Sequence, residues 1–186
     1  MLRFRFGFEK KIQAAAAVLR GRGHMDRLRL LKILYIADRE ALGERGVPIL
    51  GGRAVAMDHG PLHSDIYNMI KGEDEREAAW SKHIANDGHT VFLKDDPGRL
   101  DLSPYEIEKL DSVATRMDQF ETWDVRDGTH AFDEWKKFYE EGTSRTIPVE
   151  AILEAQGWAA QDIQGLVEDA DAHSSICRHL VDTECL

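Results

Sequence analysis

The sequence has only two cysteines among 186 residues, and both lie near its C-terminal end, at positions 177 and 185. Such a pair cannot build the disulfide framework of a small secreted domain, so we expect a reducing, cytoplasmic location. No apolar run approaches the ~20 residues that a membrane-spanning helix needs, and we expect no membrane partner. The opening MLRFRFGFEKK is basic but lacks the apolar stretch and cleavage site of a secretory signal.

The amino-acid composition of the sequence is typical of a globular protein. Hydrophobic residues make up 42% and charged residues 31% of the chain, which differs from the composition of disordered segments. A chain of this length corresponds to about one domain of ~100–200 residues and can bury a core of its own. We find no polar or glycine-rich linker that would divide it. The sequence therefore predicts a single domain.

Charge is distributed unevenly along the chain, whose net charge is -10. Residues 1–35 carry nine Lys and Arg against two acidic residues, whereas residues 101–186 carry seven against twenty. A basic segment can contact nucleic acid, and an acidic surface can attract a basic protein partner. The same asymmetry also arises when two solvated faces simply differ. The charge pattern leaves all three interpretations open.

The first third of the chain predicts two helices. Apolar residues recur with helical spacing over residues 8–20, and glycines at 21 and 23 end this segment. A second helix is predicted over 26–44, where apolar residues cover nearly every face, as in a helix at the centre of a core. Asp38 falls among these apolar residues, so its carboxylate must find hydrogen-bond donors or pay a desolvation cost of several kcal/mol.

The middle of the chain predicts a small antiparallel β element. RAVAM at 53–57 has the pattern of a strand, and Pro61, after Gly60, predicts a helix that starts near 61 and ends near 71. A charged loop is predicted from there to 79. Segments 82–86 and 89–94 flank Asp87-Gly88, a two-residue turn signal typical of a hairpin.

The second half predicts helices only. Ser103, Pro104 and Glu106 form the sequence pattern of a capping box with proline in the first helical turn. Further helical segments are predicted at 122–131, 131–141, 148–156 and 159–172. The fold class predicted is α+β, a predominantly helical single domain with a small antiparallel β-sheet or hairpin.

Several spaced motifs in this sequence resemble one known family. They are KILYIAD from Lys32 to Asp38, GVPILG from Gly46 to Gly51, the apolar strand Ala54 to Met57, His59-Gly60-Pro61, Ile66-Tyr67, and Thr129-His130 followed by Trp135. Together they resemble the signature of the Panacea domain, the SocA-like antitoxin family long known as a phage-associated domain of unknown function. The resemblance implies a Panacea domain over 8–172, with a basic leader at 1–7 and a C-terminal tail at 173–186.

The resemblance also implies a function. Members of this family are antitoxins of two-gene toxin–antitoxin systems and neutralise unrelated toxins by direct protein–protein contact. The SocA member is an adaptor that delivers its toxin to the ClpXP protease, so a ClpXP-type protease is a second partner to consider. The family is not known as a class of enzymes, and we expect neither catalysis nor a cofactor.

Six motif residues are our candidates for binding the partner protein: Asp38, His59, Pro61, Tyr67, His130 and Trp135. Loops carried on a rigid scaffold often provide recognition, and the turn at His59 has that character. His59 could equally bond the amides at a helix start or a carboxylate such as Asp38. Each of the six also has an alternative role in packing or in shaping a turn.

Other chemistries find little support in the residues. His59 and His63 are four positions apart, but Pro61 between them breaks the helical face that a shared metal ion requires, so no metal site is predicted. Cys177 beside His173 and His179 is the best nucleophile pattern, and it is common by chance. No glycine-rich phosphate loop is present.

The basic leader leaves a further function open. Its arginines could contact phosphates, in which case the chain would be a DNA-binding autoregulator. Phe4, Phe6 and Phe8 alternate with basic residues, so the leader could instead form a short strand that extends a sheet edge.

Overall fold

The computed structural model of the chain describes residues 2, 4 and 6–168, and over this range the fold is α+β, mostly helical, with two small antiparallel sheets. The helices are α1 (Phe8–Leu19), α2 (Arg27–Arg45), α3 (Ser64–Lys71), α4 (Glu77–His83), α5 (Pro104–Met117), α6 (Thr122–His130), α7 (Asp133–Phe138) and α8 (Val149–Ala155). Residues 160–168 are also helical. The strands are β1 (His24–Asp26), β2 (Ala54–Ala56), β3 (Leu62–His63), β4 (Ile84–Asp87), β5 (Thr90–Leu93) and β6 (Arg145–Thr146). The predicted fold class is confirmed.

Helix α2 is the centre of the core. Eleven of its residues are buried, and it contacts α1, α5, α6, α8 and both sheets. This position explains why its apolar residues do not form a single stripe, as the sequence pattern predicts for a central helix. Asp26 caps its first turn by accepting hydrogen bonds from the backbone amides of Leu28 and Arg29.

The predicted hairpin is confirmed, and it belongs to a larger sheet. Strands β4 and β5 pair antiparallel, with Ile84 opposite Leu93, and β1 adds to the other edge of β5. The sequence does not predict β1, because three residues after two glycines carry too little pattern to indicate a strand. The capping box at Ser103 is also confirmed, and it begins α5.

The prediction that a helix starts at Pro61 is wrong. After Pro61 the chain stays extended and pairs as β3 with β2, placing Leu62 opposite Val55, and α3 begins only at Ser64. Strand β6 pairs with the other edge of β2 and completes this second sheet. Leu62 is buried where β3 pairs with β2, and this burial outweighs the local preference of proline for a first helical turn.

The edge strand suggested for the leader stays a prediction, and its described residues contact the rest of the chain at Leu2 and Phe4. Leu2 is buried in a cluster with Ile147, Ile152 and Leu153. Phe4 contributes one backbone contact, accepting a hydrogen bond from the amide of Gly52 at 2.9 Å. The burial of Leu2 and the hydrogen bond from Gly52 to Phe4 therefore hold these described residues against the rest of the chain.

Some predictions fall outside the described residues. These are the arginines of the leader at positions 3 and 5, the cysteine pattern around position 177, and the last residues of the helix predicted over 159–172. Within the described part of the chain, no helix is both long and apolar enough to cross a membrane.

Candidate functional site

A cleft of about 570 Å³ opens between the start of α2, the turn at residues 57–62 and the start of α6. The turn and the two helix starts lie far apart in sequence, and α2 contacts both α6 and β3. Apolar side chains supply much of the wall, with polar groups on the same surface; the lining residues are Asp26, Arg27, Leu28, Leu31, Met57, Asp58, His59, Leu62, Tyr67, His89, Glu121, Thr122 and Trp123. An apolar cleft with a few polar groups is the usual form of a binding site.

Trp123 stands at the edge of this cleft and is 56% exposed. Two neighbours flank its ring. The guanidinium carbon of Arg126 lies 4.6 Å from the ring centroid, and the His59 ring meets the indole edge-on with centroids 6.1 Å apart. A large aromatic side chain supported in this way is held for contact before any partner arrives, which lowers the entropy cost of binding.

The backbone before Trp123 is also fixed. Arg29 of α2 donates a hydrogen bond to the carbonyl of Phe120 at 2.7 Å and another to the carbonyl of Met117 at the end of α5. These carbonyls have no partner within a helix, and a guanidinium satisfies them well. The connection from α5 to α6 is thereby tied to α2, which forms the opposite side of the cleft.

The turn that forms the third side contains Gly60, whose φ of +85° places it in the left-handed region. A β-carbon at this position would lie 2.5 Å from the Thr129 hydroxyl oxygen and 3.1 Å from the Lys32 ammonium nitrogen. Only glycine satisfies both the angle and the lack of space. The family-like motifs around Lys32, Gly60 and Thr129 thus meet at one point in the fold.

Lys32 lies directly behind this turn and is 0% exposed. Its ammonium group donates a hydrogen bond to the carbonyl of Pro61 at 2.7 Å. Burial, reinforced by the charge of Arg126, lowers the pKa of Lys32 to about 7. The pKa of His130 is also lowered, first by burial and then by the charges of Arg126 and Lys32.

A stack of aromatic rings supports the turn from the other side. His130 and Trp135 are parallel with centroids 4.2 Å apart, and Tyr139 stacks on Trp135 at 4.5 Å. The indole nitrogen of Trp135 donates a hydrogen bond to the carbonyl of Met57 at 3.1 Å, at the beginning of the turn. His130 and Trp135 therefore position the cleft wall.

Asp38 accepts a hydrogen bond from a backbone amide and has the ring of His63, not of His59, beside its other oxygen. One carboxylate oxygen of Asp38 accepts a hydrogen bond from the amide of Leu50 at 2.6 Å, and the other lies 3.1 Å from Nε2 of His63. The suggested contact with His59 is wrong because His59 is exposed and packs against Trp123 instead. Asp38 fastens the loop after α2 to strand β3.

A second buried polar group joins α2 to α7. The side chain of Glu134 is 0% exposed and pairs with Arg39, whose Nε donates at 2.6 Å, and with the hydroxyl of Tyr35 at 3.2 Å. The Arg39 guanidinium also lies 4.3 Å from the Phe132 ring centroid. Burial and the charge of Glu134 raise the pKa of Tyr35 well above its ordinary value. No local sequence pattern indicates this pair, because its partners are far apart in sequence.

The structure separates the six candidate residues into two groups. His59 and Tyr67 line the cleft. Asp38 and Pro61 are buried, and His130 and Trp135 are half-buried behind the wall. The sequence contains four tryptophans and does not show which of them is exposed. In the structure Trp80 is only 1% exposed, while Trp123 is the exposed one beside the cleft. Helical spacing places Trp123 two residues before Val125, which faces the core, and this offset was the available signal.

The described residues also bear on metal binding and on phosphate binding. Among the described residues, no group of three or more His, Cys, Asp and Glu side chains could hold a metal ion. Many early basic residues are engaged in ion pairs within the chain: Lys10 with Glu106, Lys11 with Asp65, Arg20 with Asp96, and Arg22 with Asp111 and Asp118. These partners reduce the positive charge that this part of the surface offers to phosphates.

The lowered pKa of Lys32 predicts how stability changes with pH. Between pH 7 and the ordinary lysine pKa of about 10.4 the unfolded chain binds one proton more than the folded chain, so the free energy of unfolding rises with pH. The contribution of Lys32 approaches about 1.4 kcal/mol per pH unit. Urea unfolding from pH 6 to 9 measures it. Lys32→Met should flatten the rise of unfolding free energy with pH, whereas Lys82→Met, at an exposed position, should preserve it. Equal slopes in both variants would contradict the assignment of this pH dependence to Lys32.

Comparison with known proteins identifies one family. The model of the SocA-like antitoxin family with the Panacea domain matches residues 30–136, which is more than half of the chain. This range contains most of the central helix, the turn at Gly60 and the exposed Trp123. No curated protein and no solved structure matches the chain significantly.

Proposed function

Because the chain belongs to the SocA-like antitoxin family with a Panacea domain, we propose that it neutralises a cognate toxin protein by binding it directly at the cleft beside Trp123. The observation that carries the proposal is the exposed, supported indole of Trp123 at the edge of an apolar cleft. Tryptophan is enriched among the residues that dominate the energy of protein interfaces. The toxin would lose its activity because the bound chain occludes its active or substrate-binding surface.

The cleft suits a protein segment in two further ways. Its walls are tied together by Arg29, Lys32 and Trp135, so little ordering is needed on binding. Its surface combines apolar side chains with polar groups such as His59 and Arg27, which can select one partner over another. The proposed activity uses no catalytic group, and binding alone is sufficient.

Trp123→Ala tests the proposal in cells and in solution. Co-expression of the neighbouring gene should stop growth, the unaltered chain should restore it, and Trp123→Ala should fail to do so. The dissociation constant for the purified toxin should rise about 30-fold or more, as expected for an interface residue that contributes at least ~2 kcal/mol. The unfolding temperature should change little because Trp123 is mostly exposed.

Leu100→Ala is the matched control, since Leu100 is 98% exposed and does not line the cleft. It should leave neutralisation and affinity unchanged. A neighbouring gene that is harmless alone, or that stays toxic with the unaltered chain, would refute the antitoxin function. Unchanged toxin binding by Trp123→Ala would refute only the location of the binding surface.

Two other activities can be separated from this one in the same strains. A DNA-binding autoregulator would shift a fragment of its own promoter at low salt, with affinity falling steeply as salt rises. A proteolytic adaptor would shorten the half-life of the toxin only in cells that contain a ClpXP-type protease. Stable toxin that remains bound and inactive is the result expected from occlusion.

A further inference from the structure

Lys32 is an unusual buried charge. Its side chain is fully enclosed, and an ammonium group carries three N–H donors. The acceptor it reaches is the carbonyl of Pro61, and within residues 2, 4 and 6–168 no carboxylate forms an ion pair with it. The buried Glu134, by contrast, has Arg39 as its counter-ion. Burying an ammonium without a counter-ion is costly, and the neutral amine avoids this cost.

The hydrogen bond of Lys32 ends on the wall of the cleft. Pro61 lies between His59 and Leu62, and both of these neighbours line the cleft. Gly60 lies close to the same nitrogen, since a β-carbon added to this glycine would lie only 3.1 Å from it. The turn is therefore a single layer of chain, with Lys32 on one side and the cleft on the other.

The charged groups around Lys32 do not compensate its charge. Helix α6 contributes Arg126 and His130, and the Asp127 of that helix pairs with Arg126 at 2.5 Å. In the turn, Asp58 accepts a hydrogen bond from the amide of Gly142 at 2.9 Å, and His59 packs against Trp123. Both acidic groups are thus engaged elsewhere, and the charge of Arg126 opposes the charged form of the lysine.

We propose that Lys32 makes the cleft sensitive to protons: the chain binds its partner with Lys32 neutral, and acidification weakens binding by charging it. This inference rests on the proposed function of the cleft. A charged Lys32 needs acceptors for its remaining donors, and water can supply them only if the turn moves. A partner packed against the turn excludes that water and so favours the neutral amine. Binding and protonation of Lys32 therefore oppose each other.

The coupling between binding and proton release from Lys32 determines how strongly the affinity for the partner changes with pH. Lys32 titrates at about pH 7 in the free chain, so below this pH binding requires the release of a proton. If the bound chain holds the amine neutral, the affinity for the partner is about tenfold weaker at pH 6 than at pH 8. Above pH 8 the affinity no longer changes with pH through Lys32. Calorimetry in two buffers of different ionisation enthalpy should detect about one proton released per complex at pH 6.

The experiment measures the affinity of the full chain for the purified product of the neighbouring gene at pH 6, 7 and 8. Lys32→Met should bind with nearly the same affinity at all three, whereas Lys82→Met, an exposed control, should retain the tenfold change. Two histidines also line the cleft, so both lysine variants are also made in a background that carries His59→Gln and His89→Gln. The change that depends on Lys32 should persist in that background.

Direct observation of the lysine covers the case in which Lys32→Met does not fold. Carbon NMR of the ε-methylene of Lys32 should show a titration near pH 7 in the free chain and a lower midpoint in the complex. Equal midpoints in both, or an unchanged pH dependence in Lys32→Met, would overturn this inference while leaving the cleft as the toxin site. Absence of toxin binding at every pH would instead refute the proposed function.

Discussion

Glu134→Ala is expected to lower the free energy of unfolding by about 3–5 kcal/mol, because it leaves the largely buried Arg39 guanidinium without its counter-ion. The Glu134 side chain is fully buried, and its carboxylate accepts from Arg39 at 2.6 Å and 3.3 Å and from the hydroxyl of Tyr35. Removing it strands both donors between α2 and α7. Chemical unfolding at neutral pH measures the loss.

Two comparisons show whether the loss comes from the broken pair. Glu141→Ala removes an exposed carboxylate of the same type and should change stability by less than about 0.5 kcal/mol. The double variant Arg39→Met with Glu134→Leu replaces both charges by apolar groups and should recover much of the lost stability. If the double variant is as unstable as the sum of the two single variants, the pair is not an isolated unit.

Gly60→Ala is expected to cost about 3–4 kcal/mol, from the left-handed backbone angle and from a steric overlap that add together. The φ of Gly60 is +85°, and the new methyl group would stand 2.5 Å from the Thr129 hydroxyl oxygen. The turn must move to relieve this contact, and moving it also disturbs the hydrogen bond from Lys32 to Pro61. Urea unfolding of the variant gives the cost.

Gly98→Ala separates the two contributions. Gly98 has a similar φ of +78°, but a β-carbon there would meet nothing within 4 Å, so only the backbone cost of about 1–2 kcal/mol should appear. Adding Thr129→Ala to Gly60→Ala should recover part of the steric cost. Equal losses at Gly60 and Gly98 would mean that the turn relaxes freely and does not hold the cleft wall.

These stability changes differ from the effect expected at Trp123. Glu134 and Gly60 support the cleft from behind, so their variants should weaken toxin binding together with folding. Trp123 is exposed and should affect binding alone. Measuring unfolding and affinity on the same preparations therefore separates residues that shape the site from residues that touch the partner.

Local sequence signals predicted the elements that depend on neighbouring residues. The hairpin of β4 and β5, the capping box of α5 and the burial of α2 all follow from patterns within a single segment. The short strands β1, β3 and β6 were missed. Each has only two or three residues, too few for a recognisable pattern, and β1 and β6 also pair with strands distant in sequence.

The candidate site also combines features that follow from neighbouring residues with features that depend on distant segments. The sequence by itself determined the fold class, the central helix and the motifs that place the chain in its family, because composition and spacing are properties of the linear chain. Only the tertiary structure decided that His59 faces Trp123 while His63 faces Asp38, and that Lys32 is enclosed behind the turn. Solvent exposure and charge compensation depend on which distant segments pack together, and a linear pattern does not specify that.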